Sequence, residues 1–187
     1  YILLKLSHVI PPPSLRLIND FTAYSYLVFA RGDQFVFKNI RILIQSAKIL
    51  NIPVLWCQQV PTALGDTIPE IAELLTDNQP INKSSFSCCG CEEFNSKLEN
   101  LGRQQILLSG LETHVCVYQT AVDLLANGYE VDVVADAVSS RTPANKDIGL
   151  KRIAAEGATI SSVEMTLFEI LKTAEHPQFK QIAKLVK

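Results

Sequence analysis

Three side chains able to do chemistry together stand far apart in this 187-residue sequence: Asp20, Lys83 and Cys116. Cys116 lies in Leu107–Gln119, LLSGLETHVCVYQ. There a strand-like run reaches Gly110, a polar turn carries Glu112, Thr113 and His114, and a helix pattern begins. A thiol at a helix start meets the free backbone N–H groups and positive dipole end, which stabilise a thiolate and lower its pKa. The same N–H groups can hold an oxyanion that develops beside the sulfur. The competing reading is a small buried hydrophobe, since unpaired cysteine is among the most buried residue types. Lys83 follows a short apolar piece in Pro80–Gly90, PINKSSFSCCG. An ammonium near the thiol favours the thiolate, although most lysines are only solvated surface charge. Asp20 closes an apolar run; it caps a turn, or acts as a base if the thiol comes within hydrogen-bond reach.

Other groupings are weaker. Cys88, Cys89 and Cys91 form a tract, but zinc takes four ligands at separated spacing, so packing explains them better and no metal is expected. A Cys–His pair using His114 stays open, because the two residues are close in sequence; His8 and His176 sit in terminal segments. No Gly-x-Gly-x-x-Gly or Walker-type loop is present, so no nucleotide is implied, and no cofactor is expected. The five cysteines are odd in number and irregularly spaced, which points to reduced thiols and a cytoplasmic location. The net charge of −2 and pI of about 5.9 argue against a nucleic-acid surface, which shows as a basic excess. No apolar run reaches the ~18–20 residues that span a bilayer, and Tyr1–Leu6 is too short and poorly flanked for a signal peptide.

The elements that must position these residues alternate. Leu15–Asp20, Pro53–Cys57 (PVLWC), a piece ending at Ile81, Gln105–Ser109 (QILLS), Glu130–Ala135 (EVDVVA) and Ala158–Ser161 read as strands. Between and after them, helices are expected over Gln34–Leu50, with Asp33 as its N-cap, and over Ile68–Leu75, Cys91–Leu101 and Val115–Asn127. Others are expected over Asn145–Glu156, Ser162–Leu171 and Gln178–Val186. Apolar residues make up 48% of the chain, and ~150 residues already bury roughly 70% of their unfolded surface, so one domain over 1–187 is expected. Residues 1–14, with Pro11–Pro13, read as an N-terminal extension. Strands alternating with helices imply βαβ units: an α/β, three-layer, Rossmann-like fold whose mostly parallel sheet has helices on both faces. Ligands in such sheets bind beyond the carboxyl ends of the strands, near the switch in strand order, which directs attention to the residues after Asp20, Cys57, Ile81, Ser109 and Ala135.

GLETHVCVYQTAVDLLANGYEV followed by VVADAVSSR resembles the isochorismatase-like cysteine hydrolase superfamily, especially its isochorismatase domain-containing branch. The likeness continues through NIRILIQSAKIL, IPVLWCQQVPTALGDTIPE, INKSSFSCC and SVEMTLFEIL, from about Asp33 to the end. It implies a six-stranded parallel sheet, hydrolysis of small molecules at amide or other C–N bonds, an Asp–Lys–Cys triad with a covalent intermediate, and a homo-oligomer (dimer or tetramer). Cys116 falls on the nucleophile of the G-x-x-T-x-x-C-V segment, and Lys83 on the lysine before S/T-x-F-S. The resemblance also implies a cis peptide at Leu111–Glu112, aiming the N–H groups of Glu112 and Cys116 at the oxyanion. The acid is Asp20 in preference to Asp33: the first strand usually ends in Asp-x-Gln, here Asp20 is followed by Phe21 and Thr22, and Asp33–Gln34 abuts the first helix without room for a loop. Trp56, Gln58, Gln59, Phe86 and Thr113 are the expected pocket lining. CQQVPTALGD carries no histidine, so the metal of the nicotinamidase branch is not expected, and Cys116 argues against isochorismate as substrate. The alternative is a family member with an impaired site, acting as a binding or scaffold protein.

Overall fold

A computed structural model of the chain describes residues 15–20 and 34–187. The expected N-terminal extension 1–14, His8 and Asp33 lie outside them.

The strands are β1 Leu15–Asp20, β2 Val54–Gln59, β3 Ile81–Lys83, β4 Gln105–Leu111, β5 Glu130–Ser139 and β6 Thr159–Ser161. The helices are α1 Gln34–Ile49, single turns α2 Pro61–Leu64 and α3 Pro69–Ala72, α4 Glu92–Asn100, α5 Tyr118–Ala126, α6 Pro143–Ala155, α7 Val163–Leu171 and α8 Phe179–Leu185. Every strand pair is parallel, in the order β3-β2-β1-β4-β5-β6. The direction of strand addition reverses at β1, so the β1–β4 gap is the switch point, where parallel sheets open a crevice at their carboxyl ends. Asp20 pairs with Gly110 across that gap.

Side-chain alternation along β2 divides the apolar residues between the two faces. Val54 and Trp56 join one core with α1, α7 and α8. Leu55 and Cys57 join the other, with Phe94 and Leu98 of α4, Ala121 and Leu124 of α5 and Ile153 of α6. In α1, Val36, Ile40, Leu43, Ile44 and Ala47 are all at most 3% exposed, which is the three-and-four spacing of a helix stripe.

Strands β2 and β4 run two residues further than the sequence expectation, to Gln59 and Leu111, and the turn Pro61–Leu64 is not among the expected helices. Other elements depart with local causes. The helix expected over Ile68–Leu75 is a single turn, Pro69–Ala72, whose first residue needs no N–H partner. The helix expected from Asn145 starts at Pro143, because the Thr142 side chain accepts from Asn145 N–H and caps it. The helix expected from Val115 opens as a π-helical turn, Thr113–Val117, before α5. Strand β5 continues past Ala135 to Ser139 through a register shift: Leu108 pairs with Val133 but Gly110 with Val138. The extra residues on β5 make a bulge. Its polar groups are satisfied from both sides: Asp136 O accepts from Asn39 Nδ2 at 2.8 Å, and Asp136 Oδ1 accepts from Val163 N–H at 2.8 Å.

Candidate active site

Lys83 ends β3, the shortest route from an edge strand into the carboxyl-end crevice. Only 4% of it is exposed, and its ammonium donates to Gln59 Oε1 at 2.5 Å, Ser85 O at 3.1 Å and Phe86 O at 2.9 Å. A buried ammonium is costly unless hydrogen-bonded, and here the following loop folds its own carbonyls around it. Gln59 is oriented in turn, since its Nε2 donates to Ser84 O at 2.8 Å. The loop has no slack: a Cβ on Gly90 would lie 2.6 Å from Ser85 Cβ, and Ser85 Oγ donates to Ser87 O at 2.8 Å.

The second component follows β4, all of whose residues are buried. Gly110 takes φ 134°, a conformation open to glycine and strained for other residues, and the Leu111–Glu112 peptide is cis. Glu112 O accepts from Val115 N–H at 3.1 Å and Val117 N–H at 3.2 Å, closing the π turn that holds Cys116. The cysteine is 8% exposed. The end of β5 and its exit clamp this turn. Thr113 Oγ1 donates to Ser139 O at 2.9 Å, His114 Nδ1 lies 3.0 Å from Ser140 Oγ, and Arg141 Nε pairs with Glu112 Oε1 at 2.7 Å. Helix α6 closes from behind: a Cβ on Gly149 would lie 3.0 Å from His114 N and Cα.

A hydrogen bond joins the two components. Cys88 N–H, in the 3₁₀ turn Cys88–Gly90, donates to Thr120 Oγ1 at 3.0 Å, and Thr120 lies one helical turn beyond Cys116. The backbone register puts Asp20 at the carboxyl end of β1, between Cys57 of β2 and Gly110 of β4.

Not every expected residue gathers here. Trp56 is 8% exposed and packs into the core opposite the Lys83 face. Its indole N–H donates to Thr67 Oγ1 at 2.8 Å, which also accepts from Gln58 Nε2 at 3.1 Å. Both residues anchor the β2–α3 connection, because their place in the alternation turns them away from Lys83. Thr113 has no exposed surface and ties the turn to β5. Gln59 lies against the ammonium, and Phe86, 54% exposed, stands on the loop around it. The Cys88–Cys91 tract is structural: Cys88 is fully buried beside Phe94 and Val117, and burial pushes the Cys89 thiol up to about 12. Among the described residues, no cluster of three or more His, Cys, Asp or Glu is placed to hold a metal ion. The sequence reading missed Thr120, Arg141 and Gly149. Only Thr120 carried a local signal, its place four residues after Cys116 on the same helix stripe.

Residues 17–165 match the Isochorismatase domain family. The chain belongs to the isochorismatase family. It is 43% identical over 149 residues to the secreted isochorismatase effector Isc1 of Phytophthora sojae, covering 78% of this chain and 71% of that protein. It is 41% identical over 153 residues to isochorismatase domain-containing protein 2 of Danio rerio, covering 81% and 76%. The structure of the MAR1 ribonuclease from Caenorhabditis elegans superposes with a TM-score of 0.85 at 34% identity, over 95% of this chain and 91% of that one. The chain is thus an isochorismatase-family hydrolase with an α/β fold, and among the described residues no helix is long and apolar enough to cross a membrane.

Proposed function

We propose that this isochorismatase-family chain cleaves a small-molecule amide, or a related C–N or ester-like bond, through a Cys116 thiolate and a covalent intermediate. The observation that carries this reading is the buried Lys83 ammonium, held by the oxygens of Gln59, Ser85 and Phe86 at the carboxyl end of the sheet. A desolvated, oriented charge in such a crevice is a mark of functional sites.

In the proposed sequence, the Asp20 carboxylate takes the thiol proton and the sulfur attacks the carbonyl carbon. The N–H groups of Glu112 and Cys116 receive the oxyanion. Collapse breaks the C–N bond, and the amine leaves with the proton from Asp20. Water then attacks the thioester, giving its proton to Asp20, and the acid departs as the sulfur regains its electron pair. Lys83 keeps carboxylate and thiolate in register, while Gln59 and Phe86 border the substrate. The mechanism uses no metal or cofactor. The ribonuclease name of the C. elegans relative is not carried over, because a net charge of −2 supplies little attraction for a phosphate backbone. Assembly as a homo-oligomer, dimer or tetramer, belongs to the same proposal and is read by light scattering on the purified protein.

Iodoacetamide labelling against pH, resolved for each cysteine, tests the thiolate. Cys116 should label first, with a midpoint below the ordinary ~8.5 of a thiol. Cys57 and Cys88 have no exposed surface and should stay unlabelled, and Cys89 stays neutral until the pH nears about 12. Slow, equal labelling of all five would defeat the reading. A second reading, an impaired site serving as a binding protein, is favoured by Phe21 and Thr22 standing after Asp20 where the family pattern has Gln. It requires partner binding to survive Cys116→Ala and amide or ester substrates to give no burst.

A further inference from the structure

The site is built from two pieces carried by strands that are not neighbours in the sheet. Strands β2 and β1 lie between β3 and β4, which sets the strands carrying Lys83 and leading to Cys116 about 14 Å apart, at ~4.8 Å per strand. Beyond the sheet itself, the distance between ammonium and sulfur depends on how the 84–90 loop meets helix α5. Apolar packing contributes, since Cys88 shares a core with Val117 and Ala121, but such packing is non-directional. A directed bond fixes position: Cys88 N–H donates to Thr120 Oγ1 at 3.0 Å, with Cys88 fully buried and Thr120 1% exposed. The loop on the Lys83 side of that bond is stiff. Its carbonyls at Ser85 and Phe86 bind the ammonium, Gly90 leaves no room for a side chain beside Ser85, and Ser87 Oγ accepts from Cys89 N–H at 3.2 Å. A shift at Cys88 is thus transmitted to Lys83 rather than absorbed.

We infer that Thr120 is a positioning residue: its hydroxyl oxygen, by accepting from Cys88 N–H, holds the Lys83 ammonium at the distance from Cys116 that keeps the sulfur ionised. This inference rests on the thiolate reading above and adds a residue that acts through the Cys88 backbone.

Without the acceptor, the buried Cys88 N–H has no partner there, and the loop must move to find one. Thr120→Val keeps the shape and removes the acceptor, Thr120→Ser keeps the acceptor, and Thr120→Ala removes it along with the methyl group. The readout is the pH at which Cys116 is half-labelled by iodoacetamide, beside wild type and Lys83→Met. Thr120→Val should raise that midpoint by about one unit, which is a roughly tenfold slower reaction near neutral pH, and Lys83→Met should raise it at least as far. Thr120→Ser should restore the wild-type midpoint. If Thr120→Val does not fold, the Ser and Ala variants, which both lack the methyl group, isolate the hydroxyl. A lowered midpoint in wild type that Lys83→Met raises and Thr120→Val leaves in place overturns the role of Thr120 alone, as does failure of Thr120→Ser to restore it. A lowered wild-type midpoint that Lys83→Met leaves unmoved also overturns it, since the route runs through the ammonium. An ordinary midpoint in wild type overturns the thiolate reading and this inference together.

Discussion

On one face of the sheet, Val54 and Trp56 run into a core closed by α1, α7 and α8. On the other, Leu55 and Cys57 pack with α4, α5 and α6, and the strands continue past that core into Gln59, Lys83 and the Cys116 turn. Both faces are apolar in their middle and differ at the carboxyl end. The first face ends in a capped connection, where Trp56 and Gln58 both donate to Thr67. The second ends in an ammonium held by the carbonyls of the following loop and in the turn that carries Cys116. Neighbouring residues of one strand, Gln58 and Gln59, therefore do unlike work, and the difference comes from strand alternation rather than residue type.

The contrast can be broken from the chemical side first. Lys83→Met should lower turnover of an amide substrate by about 100- to 10,000-fold, the range for a lost acid–base group. Its melting temperature should fall only modestly, since the carbonyls of Ser85 and Phe86 lose a buried donor at a cost of about 1–3 kcal/mol, and the protein should stay folded at the assay temperature. Steady-state rates beside a melting curve check this; unfolding at the assay temperature would make Lys83 part of the framework. From the packing side, Ile44→Ala, at a residue with no exposed surface, should cost about 2–5 kcal/mol in denaturant unfolding. The midpoint of Cys116 labelling should not move; if it does, the two faces are coupled. Trp56→Phe sharpens the boundary with the smallest effect. Losing the indole N–H to Thr67 should cost about 1–2 kcal/mol, whereas KM should stay constant, and a raised KM would return Trp56 to the substrate pocket.

The alternation of strands and helices was legible because PVLWC is a short, continuous apolar run, QILLS and EVDVVA are short and rich in apolar residues, and all three are flanked by helix-period segments. The β5 bulge was not, since it appears only when Gly110 is paired with Val138 and the DAVS segment reads locally as a loop exit. Lys83 and Cys116 announced themselves through neighbours in sequence. Trp56 misled because its chemistry suits a pocket, while the face it occupies depends on which helices cover each side. Thr120 and Gly149 act through contacts with residues distant in the chain, Cys88 and His114, and such pairs leave no periodic trace. Asp20 is intermediate: its place at a strand end was readable, and the register sets it opposite Cys57 and Gly110.

Gly149 sits within α6, where alanine would favour the helix by roughly 0.5–1 kcal/mol. Any side chain there meets the backbone of His114 at about 3.0 Å, so the position favours glycine despite that helix preference. At 149 even a methyl group would press on the turn that carries Cys116, and that turn would have to give by a few tenths of an ångström. A library that diversifies this helix to improve its folding would therefore meet the candidate site at that one codon.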